Sequence, residues 1–436
     1  KGDYNDFTTF NKEMLEYCQR DTELTRKVAG VLSGEGSTFS DRSYNLERKV
    51  RAIVDQQERN GFAFNIKQAT IFLAQLEDEQ YKLEEQAQEM FEPTKVELKT
   101  KTKYIPFNIA SRKQIADRLI EKGWKPKKFT DKGNIIVSEE ILSKLNMPEA
   151  QMFSRYFLLQ KRTGLLKSWI QECEEDDRVR GRVMTLRTVT GRMAHNSPNM
   201  AQVPATYSPY GKECRELWTV SNPDTHVLVG TDASGLELRC LAHYMNDSNF
   251  TKEVLTGDVH TANMKAAGLT NRDQAKTFIY AFLYGAGPAK IGKVVGGSAK
   301  HGKDLIARFL KNMPALDRLR KMVTKASESG TVKALDGRLL HIRSPHASLN
   351  TLLQGAGAIV CKQWLVYMDE RIRSEGIDAK LVASVHDEYQ FEVSKEDTEV
   401  FGQITKDAMK ETEVTLGMRC PLDCEYKVGN TWAETH

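Results

Sequence analysis

The chain has 436 residues, of which 40% are hydrophobic and 28% are charged. This balance is ordinary for a globular protein, and the length allows two or three hydrophobic cores. The 63 basic and 59 acidic residues leave a net charge of only +4, so total charge alone does not identify an anionic partner. No apolar run reaches the ~18–20 residues of a membrane-spanning helix, and the first residues lack the apolar core of a signal peptide. The seven scattered cysteines fit neither a disulfide framework nor a zinc site, which favours a reducing compartment.

The first part of the chain is predicted to be mostly helical. Residues 10–32 have helical spacing, and the Gly/Ser-rich stretch that follows predicts a linker over residues 33–44. Two Lys-rich stretches, residues 95–108 and residues 122–133, interrupt the later helical segments, and the second contains Trp124 and Phe129. Such clusters suit contact with a phosphate backbone, but a solvated loop face explains their spacing equally well.

The stretch "THVLVGTDASGLELRCLAHYM", residues 225–245, predicts a buried strand followed by a helix. Ser234 and Glu237 have the S-x-x-E spacing of a helix capping box, so a capping role is one interpretation of Glu237. Asp232 lies where the strand gives way to the helix. A carboxylate held at such an edge can bind a metal, although a turn-forming Asp is the commoner explanation.

The stretch "NRDQAKTFIYAFLYGAG", residues 271–287, predicts a helix with one polar stripe. Arg272, Lys276, Tyr280 and Tyr284 are four residues apart, so their side chains lie on the same helical face. In an arbitrary sequence, a solvated charged face beside a buried aromatic pair is the commoner interpretation.

Two further patterns in the sequence resemble binding motifs only superficially. Residues 297–304, "GSAKHGKD", have the spacing of a phosphate-binding loop, but Asp304 replaces the hydroxyl residue that binds Mg²⁺. The stretch "CPLDC" contains two thiols without a second pair of metal ligands, which favours packed cysteines.

The stretch "AKLVASVHDEYQFEV", residues 379–393, predicts a β-hairpin with His386, Asp387 and Glu388 at its turn. Together with Asp232, these acids supply carboxylates on separate strand ends. Two Mg²⁺ ions held by such carboxylates are the usual basis of phosphoryl transfer, and the cations of the helical stripe then have a triphosphate as a possible ligand.

Three of these stretches, "DASGLELRCLAHYM", "RDQAKTFIYAFLYGAG" and "VHDE", resemble motifs A, B and C of the family A (Pol I-like) DNA polymerases. The resemblance extends through "TVTGRMAHNSPNMAQVP" and "RSPHASLNTLLQGAGA", and it is closest to the replicative polymerases of T-odd podophages. It implies a mixed α/β right-hand fold with a helical thumb, helical fingers and an antiparallel-sheet palm. The implied segments are an exonuclease-like remnant at 1–32, a linker at 33–44, a thumb at 45–168, fingers at 246–348, and a palm at 169–245 and 349–436.

The resemblance also implies template-directed DNA synthesis, in which dNTPs are added to a primer 3′-hydroxyl with release of pyrophosphate. Asp232, Asp387 and Glu388 are the implied catalytic residues, and two Mg²⁺ ions are bound by Asp232, the Ala233 carbonyl and Asp387. The implied dNTP contacts are Glu237, His260, Arg272, Lys276 and Tyr280. The implied primer and template contacts are Arg192, Asn199, Gln202, Tyr284, Gly285, Asn350, Gln354 and His386.

The resemblance implies a monomeric phage protein that acts on primer-template DNA in the cytoplasm of a bacterial host, without a membrane. Residues 17–21, "YCQRD", resemble the last motif of the associated 3′–5′ exonuclease, but too few residues precede them to hold that domain. Residues 92–106 are too few for the thumb insertion that binds thioredoxin in T-odd phage enzymes, which argues against this processivity factor. A non-catalytic nucleic-acid clamp on the same fold is the alternative, and the presence of Asp232 and Asp387 argues against it.

Overall fold

The computed structural model describes residues 10–97 and 102–436. Within these ranges the helices are α1 (Lys12–Gly36), α2 (Asp41–Asn60), α3 (Ile66–Met90), α4 (Arg112–Glu121), α5 (Glu139–Leu142), α6 (Pro148–Glu172), α7 (Gly211–Glu216), α8 (Leu236–Met245), α9 (Ser248–Thr256), α10 (Val259–Ala267), α11 (Arg272–Leu283), α12 (Pro288–Val294), α13 (Ala299–Asn312), α14 (Pro314–Ala326), α15 (Ser348–Glu375) and α16 (Thr398–Leu416). The strands are β1 (Phe62–Phe64), β2 (Thr94–Glu97), β3 (Thr102–Ile105), β4 (Arg178–Val179), β5 (Arg182–Met184), β6 (Ala194–Asn196), β7 (Trp218–Thr219), β8 (His226–Ala233), β9 (Thr331–Lys333), β10 (Leu339–His341), β11 (Ala379–Val385), β12 (Glu388–Ser394) and β13 (Cys424–Gly429).

A four-stranded antiparallel sheet forms the centre of the molecule, in the order β11-β12-β8-β13. Strand β8 comes from the middle of the sequence and the other three from its last part, so the predicted assembly of this sheet from two separate stretches is confirmed. Val229 and Phe391, on one face of the sheet, belong to one core with α15 and α16, whereas Leu228 and Val382 belong to a second core. Trp364 of α15 is fully buried there and donates a hydrogen bond to the Thr405 carbonyl of α16, at 2.8 Å.

Helices α9 to α14 form a helical layer, in which the apolar face of α11 packs against its neighbours. Phe278 and Phe282 of α11 contact the ring of Phe309 on α13, with centroids 5.1 and 5.6 Å apart. The Asn271 side chain caps α11 by accepting a hydrogen bond from the Gln274 amide, at 3.0 Å. Packing of the apolar face positions the helix, and the polar stripe lies on the side that does not pack against Phe309.

The long helices α3 and α6 pack along each other and end in a small separate core. Phe91, Phe107 and Phe153 contact one another in this core. Of the two aromatic residues in the second Lys-rich stretch, Trp124 is buried here whereas Phe129 is 53% exposed. Residues 98–101 of the first Lys-rich stretch lie outside the described residues, and its flanks form the β2–β3 hairpin.

The predicted linker over residues 33–44 is wrong for most of its length. Helix α1 continues to Gly36 and α2 begins at Asp41, so only four residues of that stretch lie outside helices. Ser40, which lies in the predicted linker, caps α2 by accepting a hydrogen bond from the Ser43 amide, at 3.1 Å. Serine favours helix caps as much as loops, which explains the error.

Other features of the described residues agree with the sequence interpretation. Residues 299–304 of the stretch that resembles a phosphate loop are helical, and a side chain at Gly302 would lie 2.1 Å from the Pro288 carbonyl oxygen, so this glycine serves packing. All seven cysteines are free, and Cys420 and Cys424 are buried. No helix in the described ranges combines the length and apolar character needed to cross a membrane.

Candidate active site

Two carboxylates meet at one end of the central sheet. Asp232 is the next-to-last residue of β8, and it pairs with Glu388, the first residue of β12. His386 and Asp387 form the two-residue turn between β11 and β12, and His386 adopts a positive φ of 59°. The Ala233 amide donates a hydrogen bond to the Asp387 carbonyl at 3.1 Å. The ladder therefore brings the two predicted metal-binding aspartates to the same edge.

The electrostatics of this edge favour a cation. Burial, together with the negative charges of Asp387 and Glu388, raises the pKa of Asp232 to about 7. Among the described residues no group of three His, Cys, Asp or Glu side chains is arranged to hold a metal. Mg²⁺ is commonly held by one or two carboxylates together with substrate phosphates and water, so a pair of aspartates with a nearby backbone carbonyl fits this ion.

Glu388 lies beside the two aspartates but faces other groups. Its carboxylate accepts hydrogen bonds from Trp432 Nε1 at 2.5 Å and from Gln390 Nε2 at 2.5 Å, and it lies 2.8 Å from His436 Nδ1. Burial alone would raise the pKa of Glu388, but hydrogen bonds from His436 and Trp432 and the charge of Arg215 lower it. Glu388 is outside the lining of the adjacent cavity, so its catalytic role stays a prediction.

A cavity of about 430 Å³ opens beside the aspartates. The predicted site residues that line it are Arg192, Asp232, Ala233, Glu237, Tyr280, Tyr284, His386 and Asp387. Sequence reasoning did not single out the remaining lining residues, which are Met193, Gly235, Leu236, Gly357, Ala358, Cys361, Lys362 and Tyr389. The run of small residues in "LLQGAGA" could have predicted that α15 lines the cavity. Small residues allow another group to come close to the helix backbone.

The stripe on α11 extends from this cavity along one helical face. Tyr280 and Tyr284 line the cavity, whereas Arg272 and Lys276 lie farther along the helix and are exposed. The ring of His260, from α10, lies 6.1 Å from that of Tyr280. Burial lowers the pKa of His260, and the positive charges of Arg272 and Lys276 lower it further. These effects favour neutral His260, so Arg272 and Lys276 supply the positive charge of the predicted triphosphate contacts.

Glu237 is not a helix-capping residue, so the capping-box interpretation is wrong. Helix α8 begins at Leu236, its N-cap is Gly235 with φ 58°, and no side chain caps it. Glu237 instead accepts hydrogen bonds from the Tyr284 hydroxyl at 2.8 Å and from Arg192 Nη2 at 3.3 Å. This carboxylate therefore joins α8, α11 and the segment before β6 across the cavity.

Gly285 ends α11 in a conformation that requires glycine. Its φ is 75°, and a side chain there would lie 2.8 Å from the His346 carbonyl oxygen. Any larger residue would displace the loop before α15 or the end of α11. Tyr284, directly before this glycine, has 46% of its surface exposed.

The remaining predicted primer and template contacts lie outside the lining of the cavity. Asn199 caps a short 3-10 helix by accepting a hydrogen bond from the Ala201 amide at 3.1 Å. Gln202 is exposed nearby, and Asn350 and Gln354 are half-buried on α15. Their roles stay predictions.

Two aspartates at neighbouring strand ends beside an open cavity are an arrangement that can bind divalent metal for phosphoryl transfer. The sequence profile of DNA polymerase family A matches residues 73–434, and the chain belongs to this family. It is 39% identical over 378 residues to the DNA-directed DNA polymerases of Enterobacteria phage T3 and Escherichia phage T7, an alignment that covers 77% of this chain and 54% of each relative. The chain thus spans about half the length of these curated relatives.

The fold is also similar to a solved polymerase structure. The POL domain of Pol1 from M. smegmatis, in complex with DNA primer-template and dNTP, has a TM-score of 0.78 and 20% sequence identity, covering 89% of this chain and 70% of that chain. The predicted mixed α/β right-hand fold is confirmed.

Proposed function

We propose that this protein performs template-directed DNA synthesis, adding dNTPs to a primer 3′-hydroxyl and releasing pyrophosphate. The observation that carries the proposal is the meeting of Asp232 and Asp387 at a sheet edge, beside a cavity walled by α11. The 39% identity to the phage T3 and T7 DNA polymerases supports DNA synthesis as the reaction.

Each group in the site has a role in this reaction. Asp232, the Ala233 carbonyl and Asp387 would hold two Mg²⁺ ions. These ions would lower the pKa of the primer hydroxyl and stabilise the negative charge of the departing pyrophosphate. Arg272, Lys276 and His260 bind the triphosphate from α10 and α11, with Arg272 and Lys276 supplying the positive charge. Glu237 and Tyr280 contact the sugar of the incoming nucleotide. Glu388, whose charge acts on Asp232, is proposed as the third catalytic carboxylate.

The primer and template are assigned to the surface around the cavity. Tyr284 and Gly285 are at the end of α11, and we assign to Tyr284 the place of the templating base in the stack of the open enzyme. The other proposed contacts are Arg192, Asn199, Gln202, Asn350, Gln354 and His386. Contacts to the minor groove test base pairing without reading sequence, because its acceptors are largely alike for all base pairs.

We assign α3 to α6 to the thumb at 45–168, the central sheet to a palm at 169–245 and 349–436, and the helical layer to fingers at 246–348. The similarity to phage T3 and T7 enzymes supports phage-type replication inside a bacterial host. We further propose that the protein acts as a monomer. The sequence has only 15 residues at positions 92–106, where the T-odd phage enzymes carry their thioredoxin-binding insertion, so we propose no thioredoxin-type partner here.

Primer extension is the direct test of this function. A labelled DNA primer on a DNA template should be extended with dNTPs and Mg²⁺, and chelation of the metal should stop the reaction. A parallel RNA template tests template choice. Tight primer-template binding without extension under these conditions would instead support a non-catalytic clamp.

Replacing Glu237 should relax sugar selection. We expect Glu237→Ala to raise ribonucleotide incorporation relative to deoxynucleotide by about 10–100-fold, because the side chain that excludes a 2′-hydroxyl is removed. Glu237→Gln is the matched control, since it keeps the size of the side chain and an acceptor for Tyr284. The measurement is the ratio of incorporation efficiencies for the two nucleotides, and an unchanged ratio in Glu237→Ala would remove Glu237 from the sugar site.

Removing one hydroxyl from Tyr280 should change dideoxynucleotide use. A phenol hydroxyl able to replace the interaction of an absent 3′-hydroxyl blunts discrimination, so Tyr280→Phe should lower dideoxynucleotide acceptance about fivefold to tenfold while normal synthesis continues. Tyr244→Phe removes a buried hydroxyl outside the cavity and serves as the control. The deciding quantity is the efficiency ratio of a dideoxynucleotide to its parent, and equal ratios in wild type and Tyr280→Phe would refute the assignment.

A further inference from the structure

Asp258 is a carboxylate that the sequence analysis did not single out, and it organises the start of α10. Its side chain accepts hydrogen bonds from the His260 amide at 3.1 Å, the Thr261 amide at 3.2 Å and the Thr261 hydroxyl at 2.7 Å. These are the contacts of a helix N-cap. The backbone position of His260, in the first turn of α10, therefore depends on Asp258.

The same carboxylate binds Arg272 at the first position of α11. Arg272 Nε lies 2.8 Å from one carboxylate oxygen and Nη2 lies 3.1 Å from the other, which is a bidentate pair. The hydrogen bonds from Arg272 and Thr261 lower the pKa of Asp258, so the carboxylate is charged at neutral pH. One side chain thus connects α10 with α11.

This geometry leaves three of the five N–H donors of Arg272 available. Of its five N–H donors, Asp258 engages one on Nε and one on Nη2. Within residues 10–97 and 102–436 no acceptor meets the two donors on Nη1 or the second on Nη2, so they can bind another anion. An arginine side chain without a partner loses conformational entropy when it binds a ligand. A guanidinium that is already bound to a carboxylate has lost much of this entropy beforehand, so ligand binding costs less. Asp258 therefore prepares Arg272 for a second bidentate partner.

We propose that Asp258 is a positioning residue for the triphosphate of the incoming nucleotide. It holds Arg272 by one edge and fixes the turn that carries His260, so that both groups face the phosphates before the nucleotide arrives. This inference rests on the proposed function, because it assigns the ligand of Arg272 and His260 to a triphosphate.

The variant Asp258→Asn removes the ion pair with Arg272 and keeps the helix cap, so it tests the ion pair alone. Asparagine caps helices as well as aspartate does, so α10 should stay intact while the charged pair with Arg272 is lost. We expect the KM for dNTP to rise about fivefold, the upper effect of an exposed ion pair, with kcat, melting temperature and primer-template affinity unchanged. Asp247→Asn is the matched control, since Asp247 caps α9 through the Phe250 amide and the described residues give it no cationic partner.

A double-mutant cycle shows whether Asp258 acts through Arg272. In an Arg272→Ala background, Asp258→Asn should cause no further rise in KM. A KM that is unchanged or lowered in the single variant, or an equal rise in the Arg272→Ala background, would overturn the proposal. A lowered KM would mean that Asp258 competes with the triphosphate.

A second readout separates this proposal from the proposed function. Formation of a dNTP-dependent complex on a dideoxy-terminated primer measures nucleotide binding without chemistry, and Asp258→Asn should weaken it by the same factor. Failure of the wild type to extend a primer would refute the proposed function alone. Equal nucleotide binding by wild type and Asp258→Asn would refute only the role of Asp258.

Discussion

Asp232→Asn and Asp387→Asn should each abolish primer extension. Each change removes a carboxylate from the proposed metal site, and losing several kcal/mol of metal-dependent stabilisation slows the chemical step about a thousandfold or more. Binding of primer-template should stay close to wild type, because the DNA is held by groups outside this pair. Single-turnover extension and a separate DNA-binding titration measure the two effects.

We do not expect loss of folding to explain the loss of primer extension in these variants. Asp232 already has a pKa raised to about 7 by burial and by the charges of Asp387 and Glu388, so a neutral amide removes repulsion from the folded state. Asp224→Asn, an exposed change just before the opposite end of β8, is the matched control and should extend normally. Retained synthesis in either active-site variant, at a melting temperature equal to wild type, would refute the assignment.

The parts of the site that the sequence predicted well depend on local patterns. An apolar run marked β8, two β-patterned runs around His386 marked the hairpin, and four-residue spacing marked the polar face of α11. The period of side chains along a strand or helix follows from backbone geometry, so these patterns fix which residues share a face. The meeting of Asp232 with Asp387 needed the resemblance as well, since strand pairing across distant segments has no local signal.

The errors arose where distant partners decide the role of a residue. Glu237 has the spacing of a capping residue, but the left-handed Gly235 begins the helix and the carboxylate turns to Tyr284 and Arg192. The proximity of Glu388 to Trp432 and His436, and that of Asp258 to Arg272, likewise depend on how separate elements pack. Local propensity cannot report such contacts, because tertiary packing overrides it.

Lys276→Ala should impair dNTP use more than DNA binding. Lys276 is one turn beyond Arg272 on the polar face of α11, and it is exposed. Arg272 is held by Asp258, whereas the ion pairs of the described residues do not include Lys276. Its ammonium group is therefore free to meet the charge that develops on the triphosphate during transfer.

The loss of this charge should be large and selective. Removing a single electrostatic donor to a developing charge costs about 3 kcal/mol, so the efficiency of dNTP incorporation by Lys276→Ala should fall about 150-fold. Lys276→Arg keeps the charge and should retain more activity than Lys276→Ala. Lys290→Ala, which removes an exposed lysine from α12, is the control and should incorporate dNTPs as wild type does. Single-nucleotide incorporation over a range of dNTP concentrations gives these values, and unchanged kinetics in Lys276→Ala would remove the stripe on α11 from the triphosphate site.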